Sequence, residues 1–100
     1  VPGVTVKVGK VQYNALWEPS FYDNHRCVLI NPDHPFYQKV YYPNLRDGIT
    51  MTGLDSLLWA CVEAEYGIMN ELQKKDFEEF RMKVSSILAR LVEDLPDPEV

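Results

Sequence analysis

The sequence predicts an α+β domain, a small antiparallel sheet of about three strands followed by two long, packed amphipathic helices. Three observations carry this. Between Val4 and Ile30 apolar residues alternate with polar ones or gather in short β-prone runs. From Leu54 to Leu95 they recur at three- and four-residue steps, and a proline-bracketed corner, NPDHP at Asn31 to Pro35, separates the two regimes.

Val4, Val6 and Val8 fall on one side of an extended chain with Thr5 and Lys7 on the other, and the phase changes before Val11 and Tyr13, so Gly9 is expected to mark a bulge or tight turn. Trp17 to Tyr22 and Arg26 to Ile30 form the arms of a hairpin around Asp23, Asn24 and His25, residue types that tolerate turn geometry. Pro19 has no N–H to donate, which places the first arm at a sheet edge. The unbroken apolar run Cys27 to Ile30 reads as a strand covered on both faces.

Asn31-Pro32 and His34-Pro35 each hold the residue before proline in an extended conformation. Phe36, Tyr37, Val40 and Tyr41 then share one face of a short helix, if the segment is not extended, and Tyr42 to Gly48 has the composition of a loop. Thr52 or Gly53 is the expected cap of the first long helix, with Asp55 in its first turn. Its stripe is Leu54, Leu57, Leu58, Cys61, Val62, Ile68, Met69 and Leu72, interrupted by Glu65, with Gly67 as a stop signal. Asp76, with Glu79 three residues on, is the expected cap of the last helix, whose apolar face is Phe77, Phe80, Val84, Ile87, Leu88, Leu91 and Leu95. Glu79 and Lys83 add an ion pair of favourable order, worth about 0.2–0.5 kcal/mol. Residues 1–95 are therefore expected to form one domain, and 96–100 an acidic tail opened by Pro96. The sequence opens VPGVTV without methionine, and the expectation is a fragment of a longer chain.

With 100 residues, a net charge of −5 and scattered basic residues, the chain lacks the clustered Lys and Arg of a nucleic-acid surface. No run reaches the roughly 20 apolar residues of a membrane helix, so no membrane partner is expected and the cytoplasm is the default compartment. Cys27 and Cys61 lie in apolar contexts without zinc spacing and read as reduced core thiols.

Candidate chemistry is sparse. His25, Asp33 and His34 supply two histidines and one carboxylate, short of the three or four convergent ligands a metal needs. The serines sit in no nucleophile-elbow pattern and the glycines in no phosphate loop, so no metal, cofactor or nucleotide site is expected within these residues. Two alternatives stand beside a structural reading: a small self-contained enzyme using Asp33 and His34, and a single-stranded nucleic-acid adaptor stacking bases on Tyr37, Tyr41 and Tyr42.

INPDHPFYQKVY after an apolar strand, the Ala64-Glu65 pair in LLWACVEAEY and the SSILARL run at Ser85 to Leu91 resemble the carboxy-terminal region of bacterial and phage proteins that begin with a GHKL ATPase module. That module is the nucleotide-binding fold of histidine kinases, gyrase B and MutL. The likeness spans roughly Val28 to Leu91, with Asn31, His34, Pro35, Phe36 and Tyr37 as its matching residues. It implies a carboxy-terminal accessory domain whose parent binds ATP with magnesium through amino-terminal motifs, and it assigns no catalytic residue here. In this reading Asn31, Pro32, Asp33, His34, Pro35, Phe36 and Tyr37 build a rigid corner, with Phe36 and Tyr37 anchoring it under the helices. Trp17, Trp59 and Tyr66 are the surplus apolar surface expected to meet a second copy or the ATPase part of the chain. The expected function is non-catalytic oligomerisation or interaction.

Overall fold

In the computed structural model, which describes residues 3–68 and 70–97, three strands and two long helices follow one another in the α+β order expected. Met69 of the expected helical stripe and the end of the acidic tail lie outside the described residues.

The strands are β1 (Val6–Val8), β2 (Trp17–Tyr22) and β3 (His25–Ile30), in the spatial order β1-β3-β2. Asp23 and Asn24 both take positive φ, 53° and 65°, as a two-residue type I′ hairpin between β2 and β3 requires. β2 lies at the edge, where Pro19 is tolerated, and β3 lies in the centre, where its apolar run is covered. The sheet is mixed, not wholly antiparallel: β1 runs parallel to β3 with Val6 opposite Val28 and Val8 opposite Ile30. Because β2 already occupies the other side of β3, β1 can join only at the free edge, and its polarity follows from the connection through Gln12–Asn14. Gly9 makes no bulge. It passes so close to Leu29 that a Cβ there would lie 2.7 Å from Leu29 Cδ1, while its N–H donates to the Ile30 carbonyl at 3.0 Å.

After the corner the chain is helical from Pro35, π-wound over Tyr37–Tyr41 and 3-10-wound over Tyr42–Asn44. Pro43 cannot supply the N–H that continued α winding needs, and Asn44 Nδ2 compensates by donating to the Val40 carbonyl at 2.7 Å. Helix α1 (Gly48–Tyr66) begins earlier than Thr52 because Asp47 caps it, its carboxylate accepting from the Thr50 N–H at 3.1 Å. Helix α2 (Glu71–Leu91) likewise begins before Asp76: Asn70 Oδ1 accepts from Leu72 and Gln73 N–H at 2.8 and 3.4 Å. Asp76 therefore lies inside α2 and is exposed. Gly67 ends α1 as expected.

Leu16, Trp17, Val28, Ile30, Tyr41, Leu58 and Val62 form the core, with Val84 and Leu88 of α2 packed on its margin. The deepest aromatic ring is Tyr41, 2% exposed, rather than Phe36 or Tyr37, which are half-buried around it. Tyr37 stacks on Tyr41 at 5.6 Å and Phe36 meets it edge-on at 6.1 Å. Trp17, expected at an interface, is only 3% exposed and belongs to this core. Its register opposite Ile30 on the central strand leaves it no route to a partner surface.

Candidate functional site

The corner holds the sheet to α2. Asn31 is buried, and its Oδ1 accepts from the Asp33 N–H at 2.9 Å, closing the turn, while its Nδ2 donates to the Ala15 carbonyl at 3.0 Å. His34, 4% exposed, caps the helix that Pro35 opens: its Nδ1 accepts from the Phe36 N–H at 3.0 Å, and its backbone carbonyl accepts from Gln38 at 3.1 Å. Since an amide N–H can only donate, Nδ1 is the bare nitrogen and Nε2 carries the proton, which it donates to the Ser85 carbonyl at 2.8 Å. Burial lowers the His34 pKa below its ordinary value, against the opposing effect of the Ser85 bond.

Ser85 completes this mooring. Buried in the middle of α2, its hydroxyl accepts from the Leu16 N–H at 2.8 Å and donates to the Arg81 carbonyl at 2.7 Å. Its sequence signals are its place at the head of the SSILARL run and its setting as a polar residue among Val84, Ile87 and Leu88.

These contacts bear on the candidate chemistry. Both ring nitrogens of His34 are committed to internal hydrogen bonds, although the residue borders a groove of about 390 Å³ with Tyr13, Pro35 and Met82. Asp33 is exposed, and His25 begins β3 at the end opposite the corner, about 20 Å away by strand rise. Among the described residues no three His, Cys, Asp or Glu side chains converge as metal ligands. Of the tyrosines proposed to stack bases, Tyr41 is spent in the core, Tyr37 lies against it, and Tyr42 is exposed. Cys27 and Cys61 are both free thiols, the first buried and the second half-buried.

A cleft of about 400 Å³ lies between β2, the end of α1 and the start of α2, lined by Glu18, Glu65, Tyr66, Lys74, Phe77 and Arg81 among others. Glu65, the acidic break in the α1 stripe, pairs here with Arg81, whose Nε lies 3.1 Å from both carboxylate oxygens. Burial raises the Glu65 pKa, Arg81 opposes this, and the nearby Glu78 adds to it. The cleft carries mixed charge, and among the described residues both of its lining cations are paired, Arg81 with Glu65 and Lys74 with Glu71. Beside it Tyr66 donates its hydroxyl to the Ser20 carbonyl at 2.6 Å, meets Phe21 edge-on, and takes the Arg26 guanidinium over its ring at 4.5 Å. Tyr66 and Trp59 are thus half-buried within the domain.

Exposed large apolar side chains occur on the sheet (Val8, Phe21, Tyr22) and on α1 (Ile49, Leu57), and α2 carries several of them in one row. Its predicted stripe divides: Phe77, Val84 and Leu88 are half-buried, while Phe80 is 60% exposed, Ile87 38% and Leu91 71%. Phe77, Phe80 and Asp76 also border a notch of about 300 Å³. None of Trp17, Trp59 and Tyr66 belongs to this face. The helical spacing marks the α2 residues but does not distinguish which half of the stripe the core covers. Among the described residues no helix is long and apolar enough to cross a membrane. The chain matches no protein-family model, no curated protein and no solved structure.

Proposed function

We propose that this domain is a non-catalytic interaction module that brings a larger protein together with itself or with a partner. The observation that carries the reading is the solvent-facing row Phe80, Ile87 and Leu91, three large apolar side chains on one side of a capped helix. Large apolar side chains aligned in water in this way have a cost that a partner relieves. The buried ionisable groups add support, since the His34 ring nitrogens are taken up by Phe36 and Ser85, and Glu65, although it borders the cleft, is paired with Arg81. The likeness of NPDHPFY and SSILARL to the end of GHKL-type proteins supports a reading in which the parent is a cytoplasmic protein that binds ATP with magnesium through its other parts. The test replaces Phe80 and Leu91 together by glutamate in the longest natural chain that carries the domain. The domain's melting temperature should hold, because both side chains are exposed, while the sedimentation coefficient of the whole protein falls. An unchanged assembly state would remove the reading.

A further inference from the structure

We infer that the partner of α2 is a second copy of this chain, with two α2 helices laid antiparallel about a two-fold axis near Lys83. The inference rests on the interaction reading and adds to it the occupant and its direction. Phe77, Phe80, Val84, Ile87 and Leu91 follow one another at steps of three, four, three and four residues, the spacing of a helix-pairing seam. Phe77 and Val84 are half covered by their own domain, so Phe80, Ile87 and Leu91 are left to meet the partner.

Charge along one edge of the seam selects the occupant. Asp76, Lys83 and Arg90 each directly precede a seam residue, Phe77, Val84 or Leu91, and stand at seven-residue intervals. All three are exposed, and among the described residues none of them has an ion-pair partner within 4.0 Å. In a parallel pair the same edge would face Arg81, already bound to Glu65, and Leu88, so Lys83 and Arg90 would meet no opposite charge on α2 of the partner. In an antiparallel pair centred on Lys83, Asp76 of each copy faces Arg90 of the other, and the contact is self-complementary as a two-fold interface must be. Lys83 then lies near the axis opposite its own copy, the one like-charge contact of the arrangement; the Glu79–Lys83 pair expected from the sequence is not formed within 4.0 Å among the described residues. An acidic residue and a basic residue equally spaced about the seam's centre match this chain inverted on itself.

The seam is short. Stable interfaces bury on the order of 800 Å² per partner, and a helix of 21 residues, about 30 Å long, supplies only part of that, so the dimer should be weak, with a dissociation constant on the order of micromolar. The experiment measures molar mass by light scattering and sedimentation across a wide concentration range, for the wild type, Asp76→Arg, Arg90→Asp and an equimolar mixture of the two variants. Circular dichroism confirms that each variant is folded. The wild type should form a reversible dimer. Each variant alone should weaken it by about tenfold, because both rim pairs turn repulsive at once. The mixture should regain wild-type association, since an antiparallel heterodimer restores opposite charges at both ends. A wild type that stays monomeric, variants that dimerise as well as the wild type, or a mixture that recovers nothing would each overturn the inference. A monomeric wild type combined with loss of whole-protein assembly in the Phe80→Glu, Leu91→Glu chain would overturn self-pairing alone and leave the interaction reading standing.

Discussion

His34 offers the most direct test of how the corner works, because its two bonds can be removed separately. Alanine removes both, leaves the Phe36 N–H and the Ser85 carbonyl without the ring, and opens space at a site only 4% exposed. Two net hydrogen bonds at about 1 kcal/mol each, plus the penalty for a buried donor left unpaired, give a loss of about 2–4 kcal/mol. Asparagine keeps a short-reach acceptor where Nδ1 stood and should still cap Phe36, so it should lose about half as much. For a domain of this size each 1 kcal/mol moves the melting temperature by about 4–8 °C, which makes the series resolvable by calorimetry or circular dichroism. The ring also gives a pH signature. Burial holds its folded pKa below the unfolded value of 6.5, so the unfolded chain binds the proton first. The contribution is therefore whole above about pH 6.5 and is lost as pH falls through the folded pKa, with a slope of at most about 1.4 kcal/mol per pH unit. Wild type should lose stability between pH 7 and pH 5 more steeply than His34→Asn. Equal melting temperatures for the alanine and asparagine variants, with equal pH slopes in all three proteins, would refute the cap and the assigned tautomer together.

Two further substitutions probe buried polar groups. Tyr41 Oη is buried without a hydrogen-bond partner among the described residues, and burial, with Asp55 nearby, raises its pKa. Tyr41→Phe should stabilise the domain by about 1 kcal/mol in urea unfolding, and a loss of similar size would show that the hydroxyl has a partner. Arg81→Ala leaves the mostly buried Glu65 carboxylate without its counter-ion and should cost about 3 kcal/mol, whereas a change under 1 kcal/mol would mean that water already screens the pair.

Local chemistry made the hairpin legible, since Asp23, Asn24 and Pro19 each restrict the backbone by themselves. The direction of β1 was not legible, because alternation at Val6 to Val8 is the same in a parallel and an antiparallel ladder. The caps failed for a related reason. Thr52, Asp76, Asp47 and Asn70 are all of capping type, and only backbone N–H groups within reach of Asp47 and Asn70 distinguish the true ones. Tyr41 was placed on the right face but not at its depth, because a π-wound turn ahead of Pro43 does not follow the 3.6-residue period. Ser85 shows the limit most plainly. A serine within an apolar stripe reads as a defect until Leu16 and His34, far away in sequence, arrive to use its hydroxyl and carbonyl.

The exposed row on α2 follows from the proportions of the fold. A sheet of three strands is about 10–15 Å across and its six-residue strands about 20 Å long, whereas α1 and α2, at 19 and 21 residues, are each about 30 Å long. Such a sheet cannot cover both helices. The core therefore takes Leu58 and Val62 from α1, and from α2 the margin made by Val84 and Leu88, with Ser85 fastening the helix by polar bonds. Hydrogen bonds fix a helix in place without needing its apolar side turned fully inward. That division of labour lets the Ser85 mooring and the Phe80 to Leu91 row coexist on one helix. It also means that loosening the mooring and charging the row should act independently, the first on stability and the second on association.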